Sequence, residues 1–405
     1  MRSRILGSNG TSALNSRSLP GAVVLGGDFQ GLGIARSLGR QGIPVCVIDD
    51  EHSISRFSKY CVHSIRVSSL RTHDAVVGAL MELKGRFDVS GWLLFPTREE
   101  IVVAISRSRD ELSQHYRVPT SDWNRIQWAW DKRNTYQLAR ELDIPTPDTF
   151  YPRDADELSR IAGLRFPVAV KPAIKEHFVY ATRAKAWAAN NMVDLKSLYE
   201  KASGIVRPDE ILIQEFIPGG GLQQFAYCAF FRKGEATGKM VVRRRRQHPL
   251  QFGRSSTYVE TVQIPVLEDY SERFLRAIDY YGLVELEYKL DPRDNRFKLL
   301  DVNPRTWGYH SIGLPAGVDF PYLQYADQVG LPVTPCEARS GIAWVRMITD
   351  IPAALMQARA GELDFREYVN SLCAVDVEAV FSRTDILPGI AELCLLPYLM
   401  IKRGF

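Results

Sequence analysis

The residues with the clearest chemical potential lie in a predicted β-hairpin whose turn is centred on Asp294. Because side-chain direction repeats every second residue in a strand, Glu287 then faces Asp301 and Glu285 faces Asn303. Like charges that face each other destabilise a sheet unless a cation lies between them, and oxygen ligands suit a hard cation such as Mg²⁺. The hairpin therefore predicts a magnesium site and, with it, a phosphate ligand. A solvated hairpin whose acids pair with nearby lysines is the alternative.

Two lysines and one linker could bind the rest of a nucleotide. Lys171 ends an apolar strand run, where its ammonium group can meet phosphate oxygens. Lys132 is the first residue of a predicted helix, a position at which the helix dipole favours an acidic side chain. A lysine at this position indicates that an anion is held between it and the helix N-terminus. Either lysine alone is more often a solvated surface residue, and the prediction depends on the two lysines together with the hairpin. In the run 214–221, a strand becomes a linker that could read an adenine edge, with Phe216 and Ile217 near the ring; a plain loop is the alternative.

The elements that must position these residues begin with an α/β pattern. An apolar strand at 22–25, a helix at 31–41 and a strand at 45–49 that ends in an acid are typical of a parallel α/β sheet. Glycines 26, 27, 31 and 33 resemble a dinucleotide fingerprint without its spacing, and a tight turn explains them as well. This first domain is expected to end near residue 125.

The chain after this domain alternates between helices and strands. A strand at 168–171, an irregular stretch, a helix at 192–203 and a strand at 211–214 predict a small α+β unit. Strands then follow from 224 to 263. The region after 340 contains no chemical motif.

Composition sets ordinary limits. With 405 residues and 45% hydrophobic content, two or three domains are expected, and a net charge of +4 gives no reason to expect a nucleic-acid partner. Six scattered cysteines predict neither a zinc site nor a disulfide framework, which favours a cytoplasmic location. Residues 1–19 lack a secretory signal and predict a disordered extension. The apolar run 393–401 is too short to span a bilayer, and a buried terminal helix is favoured over interfacial membrane contact.

The order of these elements resembles the ATP-grasp superfamily over about residues 20–335. The matching runs are 131–132 with 144–147, 166–172, 214–219, 287–289 and 301–305. The resemblance implies an α/β fold with a parallel α/β domain at 20–125 and an ATP-grasp domain at 126–335. Within the latter, a small α+β lid at about 150–215 precedes a larger α+β part that carries the hairpin. Residues 336–405 are expected to form a C-terminal helical extension.

The resemblance also implies roles for individual residues. The cofactors would be ATP and Mg²⁺, with Mn²⁺ as an alternative ion. Arg305 and Lys171 would be catalytic, with Arg305 steadying the reacting carboxyl group. The metal ligands would be Glu287, Asp301 and Asn303. The nucleotide would be bound by Lys132, Lys171, Lys185, Gln214, Glu215, Phe216, Ile217 and Gln224.

The reaction implied by the resemblance joins a carboxylate to an amine through an acyl phosphate. Both substrates would be small molecules, and the pattern most resembles ligases that couple amino acids, such as D-aspartate ligase-like proteins. Family analogy is compatible with a homodimer. A kinase that stops after phosphoryl transfer and a non-catalytic nucleotide-binding protein are the alternatives.

The sequence departs from the family pattern at several positions. The loop after Lys171 lacks the usual glycines, so phosphate contacts are expected from Lys175 or Lys185, and Gln223 or Gln224 replaces the expected ribose-binding acid. The four arginines 243–246 lie on a predicted strand, so two alternate members, either 243 and 245 or 244 and 246, should face the cleft and bind an anion. A solvated strand is the alternative. The loops that follow, with His248, residues 251–256 and His310, could touch the acceptor, although His310 fits a structural role better than that of a general base.

Overall fold

The computed structural model describes residues 19–250, 253 and 255–403. The predicted extension 1–19 therefore lies, except for Leu19, outside the described residues. The same holds for positions 251, 252 and 254 of the loop after His248.

The first unit is a four-stranded parallel sheet with the strand order β3-β2-β1-β4. Strands β1, β2 and β4 are buried along their whole length, which agrees with their continuous apolar sequences. Ligands of such sheets bind beyond the carboxyl ends of the strands. The elements of this unit are β1 (Ala22–Leu25), α1 (Phe29–Arg40), β2 (Val45–Asp49), β3 (Cys61–Arg66), α2 (His73–Arg86), β4 (Leu93–Pro96), α3 (Glu99–Arg107) and α4 (Arg109–Ser113).

The second unit is a smaller sheet with the order β5-β8-β6-β7, reached through two connecting helices. The stretch after Pro172, predicted to be irregular, instead contains a helix and a strand. Only Phe178 of that helix is buried, so its sequence carries no amphipathic period. The elements are α5 (Trp123–Trp130), α6 (Lys132–Glu141), β5 (Thr149–Phe150), α7 (Ala155–Leu158), β6 (Val168–Pro172), α8 (Lys175–Thr182), β7 (Trp187–Ala189), α9 (Met192–Ser203) and β8 (Ile211–Glu215).

The third unit is an eight-stranded sheet with the order β13-β12-β9-β10-β11-β15-β16, in which β14 also pairs with β10. The region 336–405 is therefore not only a helical extension. It adds three strands of two or three residues, which are too short to show alternation in the sequence. The elements are β9 (Gln224–Arg232), β10 (Glu235–His248), β11 (Ser255–Val262), α10 (Pro265–Ala277), β12 (Gly282–Asp291), β13 (Arg296–Asn303), α11 (Gly313–Ala316), α12 (Phe320–Val329), β14 (Cys336–Glu337), β15 (Ala343–Val345), α13 (Met347–Arg359), α14 (Phe365–Cys373), β16 (Val377–Glu378), α15 (Leu387–Cys394) and α16 (Leu396–Arg403).

One hydrophobic core joins the first sheet to the large sheet. It contains Val24 of β1 and Phe29 of α1 together with Cys228 and Phe230 of β9 and Trp344 of β15. This shared core fixes the carboxyl ends of the parallel strands over the hairpin formed by β12 and β13. Among the described residues, every helix is too short or too polar to cross a membrane.

Candidate active site

The hairpin has the register predicted from the sequence. Glu287 pairs with Asp301 and Glu285 pairs with Asn303 across β12 and β13, and a bulge follows Glu287. The Asn303 side-chain amide donates hydrogen bonds of 3.0 Å to Glu285 and of 3.0 Å to Glu287. The four side chains therefore share one face of the sheet.

The hairpin carboxylates are paired with basic residues from other elements. Lys132 Nζ lies 2.8 Å from Asp301 Oδ1, and Arg244 Nη2 lies 3.4 Å from Glu287 Oε2. Lys298, which the solvated-hairpin alternative would use, instead forms ion pairs at the distal end of the hairpin, one of them with Asp291. The acids thus face a protein cleft that is lined with cations.

The electrostatic environment separates the two glutamates. Burial alone would raise the pKa of Glu287, but the charges of Lys185 and Arg244 outweigh burial and lower that pKa. Burial and the neighbouring Glu287 charge raise the pKa of Glu285, whose carboxylate also accepts a hydrogen bond from Tyr309. Glu287 is therefore the member of the pair that is better suited to hold a cation.

The donor set fits a magnesium ion that is shared with a substrate. Among the described residues, no three His, Cys, Asp or Glu side chains converge into a metal-binding group. Mg²⁺, however, is usually held by one or two carboxylates together with water and substrate phosphates. Glu287, Asp301 and the Asn303 amide match that pattern when a nucleotide supplies the remaining oxygens.

A first cavity lies between the small sheet and the hairpin and encloses about 1030 Å³ of empty space, including open solvent. All eight side chains that were predicted to bind the nucleotide line it, and so do Glu287 and Asp301. The eight are Lys132, Lys171, Lys185, Gln214, Glu215, Phe216, Ile217 and Gln224.

Lys171 is held in place at the inner end of this cavity. Its Nζ donates a 2.7 Å hydrogen bond to the Tyr136 hydroxyl, which donates a 2.7 Å bond to the Leu300 carbonyl. Burial, together with the positive charge of Lys132, lowers the pKa of Lys171 to about 7. An incoming anion would restore the charged form.

The strand-to-linker run forms the opposite wall of the first cavity. Lys289 Nζ donates a 2.6 Å hydrogen bond to the Ile217 carbonyl and lies 5.3 Å from the centre of the Phe216 ring. Burial lowers the pKa of Lys289 to about 8. Gly219 and Gly220 follow with φ angles of 96° and 60°, values that favour glycine, and Gly220 still lines the cavity.

A second cavity of about 1520 Å³, including open solvent, adjoins the first. The two cavities share Lys175, Lys185, Arg244 and Glu287 in their linings. The second cavity is otherwise bordered by the loops after β1, β2 and β4, by the hairpin residue Glu285 and by Arg305. Phosphate-binding lysines and the predicted carboxylate-binding arginine therefore meet where the cavities join.

Arg305 is bound to an acid of the first domain. Its Nε and Nη2 donate hydrogen bonds of 3.0 Å and 2.6 Å to Glu99 Oε1, and Lys175 Nζ lies 2.6 Å from the same oxygen. Burial alone would raise the pKa of Glu99, but these two cations outweigh it and lower the pKa. A carboxylate is thus already stabilised between Arg305 and Lys175.

The arginine run contributes one member to the cleft. Arg244 lines both cavities, whereas Arg246 forms two 2.9 Å hydrogen bonds with buried Asp350. The prediction that two alternate arginines face the cleft is therefore wrong for Arg246. A β-bulge between Arg244 and Arg246 breaks the strand alternation on which that prediction depended.

Known proteins resemble the chain over most of its length. A D-aspartate ligase of Enterococcus faecium is 24% identical over 303 residues, 70% of this chain and 70% of the ligase. An L-amino acid ligase structure from Bacillus licheniformis has a TM-score of 0.61 at 14% identity and covers 80% of this chain and 78% of its own. A Hydrogenobacter thermophilus biotin carboxylase domain in complex with MgADP has a TM-score of 0.63 at 15% identity, covering 80% and 73%. No family model matches the chain.

The chain has the ATP-grasp fold. The predicted α/β fold and the resemblance to the ATP-grasp superfamily are thereby confirmed, and the similar proteins include a D-aspartate ligase and an L-amino acid ligase.

Several residues of this ATP-grasp site were not predicted from the sequence. Glu99, Tyr309 and Arg346 line the second cavity but lie outside the family motifs. Glu99 could have been suspected as the first residue of a helix that follows a buried strand. His310 lines neither of the two cavities; it is buried, and its Nδ1 lies 2.9 Å from the Trp307 carbonyl oxygen. Gln224, but not Gln223, lines the first cavity.

Proposed function

We propose that this ATP-grasp ligase phosphorylates a small carboxylate at the junction of its two cavities and passes the acyl group to an amine. One observation carries the proposal: Lys175, Lys185, Arg244 and Glu287 belong to both cavities. Cationic side chains at a junction of this kind can stabilise a phosphoryl group that moves between two substrates.

ATP would occupy the first cavity. Phe216 and Ile217 would pack against adenine, and Gln224 would bind a ribose hydroxyl. Lys132, Lys171 and Lys185 would neutralise the phosphates, because a triphosphate needs several cations in a site with limited access to water. The excess of basic side chains in this cavity supports the assignment.

Magnesium would be held by Glu287, Asp301 and Asn303. The Asn303 Nδ2 now faces both glutamates, so ligation through Oδ1 requires the amide to rotate. When bound, Mg²⁺ neutralises charge on the transferring phosphoryl group. Mn²⁺ prefers similar oxygen ligands and would be the alternative ion.

The reaction would proceed in two displacement steps. A carboxylate oxygen, oriented by Arg305, attacks the γ-phosphorus, the bond to the β-phosphate oxygen breaks, and ADP leaves. The amine nitrogen then attacks the acyl carbon, the carbon–oxygen bond to phosphate breaks, and the amine gives up a proton. Arg305 would stabilise the oxyanion that forms in this second step. Glu99 would yield its place on Arg305 to the substrate carboxylate.

Amino acids are the proposed substrates, because the similar proteins include a D-aspartate ligase and an L-amino acid ligase. Acidic and basic side chains line the second cavity in nearly equal numbers, which suits zwitterions. A cytoplasmic location, where ATP is abundant and the six free cysteines stay reduced, and a homodimer are part of the same proposal.

The test is ADP release measured with a panel of D- and L-amino acids, singly and in pairs, with Mg²⁺ or Mn²⁺. A ligase releases ADP in a pair-dependent manner, and mass spectrometry detects the amide product. Hydroxylamine, used as a small amine, should trap the activated donor as a hydroxamate. Stable phosphorylation of one substrate without any amine would contradict the proposal and indicate a kinase.

A further inference from the structure

Arg346, in the C-terminal region, has hydrogen-bonding capacity that the fold does not use. Its side chain is 1% exposed and lies in the lining of the second cavity. Its Nε and Nη1 atoms make no hydrogen bond to any described residue. Buried polar groups are nearly always paired in native proteins, so two open donors on one guanidinium group call for an acceptor.

The guanidinium group is held rigidly in spite of these open donors. Its Nη2 lies 2.6 Å from Glu392 Oε1 and 3.4 Å from Asp28 Oδ1. Its Cζ lies 4.1 Å from the centre of the Phe29 ring. Three residues from the two ends of the chain thus fix its orientation, as expected of a preorganised anion site.

Other arginines that line this cavity already have acidic partners for their donors. Arg305 binds Glu99 through two nitrogens, and Arg98 pairs with Asp49 and Asp50. The cavity lining also contains Asp28, next to Arg346, whose carboxylate would attract an ammonium group. A ligand with both a carboxylate and an amine would satisfy this end of the cavity.

We infer that Arg346 binds a substrate carboxylate that does not react, separate from the carboxylate activated beside Arg305. The inference rests on the proposed function and names its substrate class: at least one of the two substrates is an amino acid. The non-reacting carboxylate can belong to the donor, as in a dicarboxylic amino acid, or to the acceptor amine. The C-terminal region thereby acts as a specificity element.

The test compares each probe with its amide. Aspartate and aspartate α-amide, which retains the β-carboxyl group, are compared as donors with hydroxylamine as the amine. Alanine and alaninamide are compared as acceptors. Arg346→Lys keeps a cation for Glu392 but removes the Nε and Nη1 donors, and the double variant Arg346→Gln with Glu392→Gln avoids an unpaired buried acid if the first variant folds poorly.

In one of the two comparisons, that of the donors or that of the acceptors, the wild-type enzyme should show a lower KM for the probe with the free carboxylate than for its amide. The difference should be at least about tenfold, as expected for a charged hydrogen bond. Arg346→Lys should abolish that preference by raising the KM for the carboxylate form much more than the KM for the amide. The comparison in which the acid and its amide differ shows whether the donor or the acceptor carries the carboxylate that Arg346 binds. Equal use of acid and amide by the wild type, or an equal loss with both in the variant, would overturn the inference. If no probe is turned over, the ligase proposal fails separately, and calorimetric binding of the same four probes decides on Arg346 by the same criterion.

Discussion

The two cavities differ in how their charges are balanced. The described lining of the first carries six basic and three acidic side chains, whereas that of the second carries six basic and five acidic ones. An excess of positive charge suits a polyanion such as ATP, whereas a near balance suits ligands that carry both signs. The difference indicates that one cavity provides phosphoryl chemistry and the other selects the substrates.

The cavities also differ in where their side chains come from. The first is built from the small sheet, its linker, the hairpin and the end of β10 with its following loop, all between residues 132 and 301. The second adds loops of the first domain and Arg346 and Thr349 of the C-terminal region. Changes in the first cavity should therefore remove turnover with every substrate. Changes in the second, apart from Arg305 and the residues that the two cavities share, should alter stability or specificity.

The largest effect is expected for Asp301→Ala. This substitution removes a proposed metal ligand and leaves Lys132 without its 2.8 Å partner. We expect turnover to fall by about 10²–10³-fold, the typical loss when charge stabilisation in the transition state is removed. ADP release measures the loss, and magnesium-dependent nucleotide binding by calorimetry should weaken in parallel.

Asp294→Ala is the matched control because Asp294 lies in the turn of the same hairpin, away from both cavities. It should retain nearly full activity. An active and folded Asp301→Ala enzyme would exclude the metal assignment.

The next effect is expected for Glu99→Ala, in the second cavity. The substitution leaves Arg305 and Lys175 without the carboxylate that they share. Breaking a buried ion pair from one side typically lowers the free energy of unfolding by about 3–5 kcal/mol. Chemical denaturation should show this loss, and Glu111→Ala, at an exposed acid of α4, should show almost none. An unchanged midpoint for Glu99→Ala would mean that the contact is not maintained in solution.

A smaller effect distinguishes two neighbours in the arginine run. Arg244 lines both cavities, whereas Arg243 is half-buried and lines neither. Arg244→Ala should lower kcat/KM by roughly 10- to 100-fold, the value of one charged hydrogen bond. Arg243→Ala should change it less than about twofold, which is ordinary for a surface site. Equal losses in the two variants would contradict the assignment of Arg244 to the cleft.

The first cavity could be predicted because its residues lie within runs that have local meaning. Strand alternation alone gave the pairing of Glu287 with Asp301. A strand end, a helix start and a linker drew attention to Lys171, Lys132 and the run 214–221, and the resemblance supplied their roles. Burial and hydrogen bonds between distant residues, such as the bond from Lys171 to Tyr136, cannot be read from any one of these runs. Local patterns thus give the type of site but not its protonation states.

The second cavity could not be predicted in this way. Glu99 and Arg346 are 247 positions apart and meet the same cavity only because one core joins the first sheet to the large sheet. For Arg246, the error came from local register. Strand alternation would place Arg246 on the same face as Arg244, but a bulge lies between them and Arg246 binds Asp350 instead. Long-range packing and local register shifts are the two kinds of information that the sequence pattern lacks.

The smallest effect, a change in proton binding, tests the charge excess of the first cavity most directly. With a pKa of about 7, Lys171 is largely neutral in the free protein at pH 8, and a bound phosphate should restore its proton. ATP binding should then take up on the order of one proton, and affinity should fall roughly tenfold between pH 8 and pH 9. Calorimetry in buffers of different ionisation enthalpy measures the uptake. Lys171→Met should abolish it, whereas Lys196→Met, at an exposed position of α9, should not. If ATP binding still takes up a proton in Lys171→Met, another group binds that proton, and Lys171 is charged both before and after ATP binds.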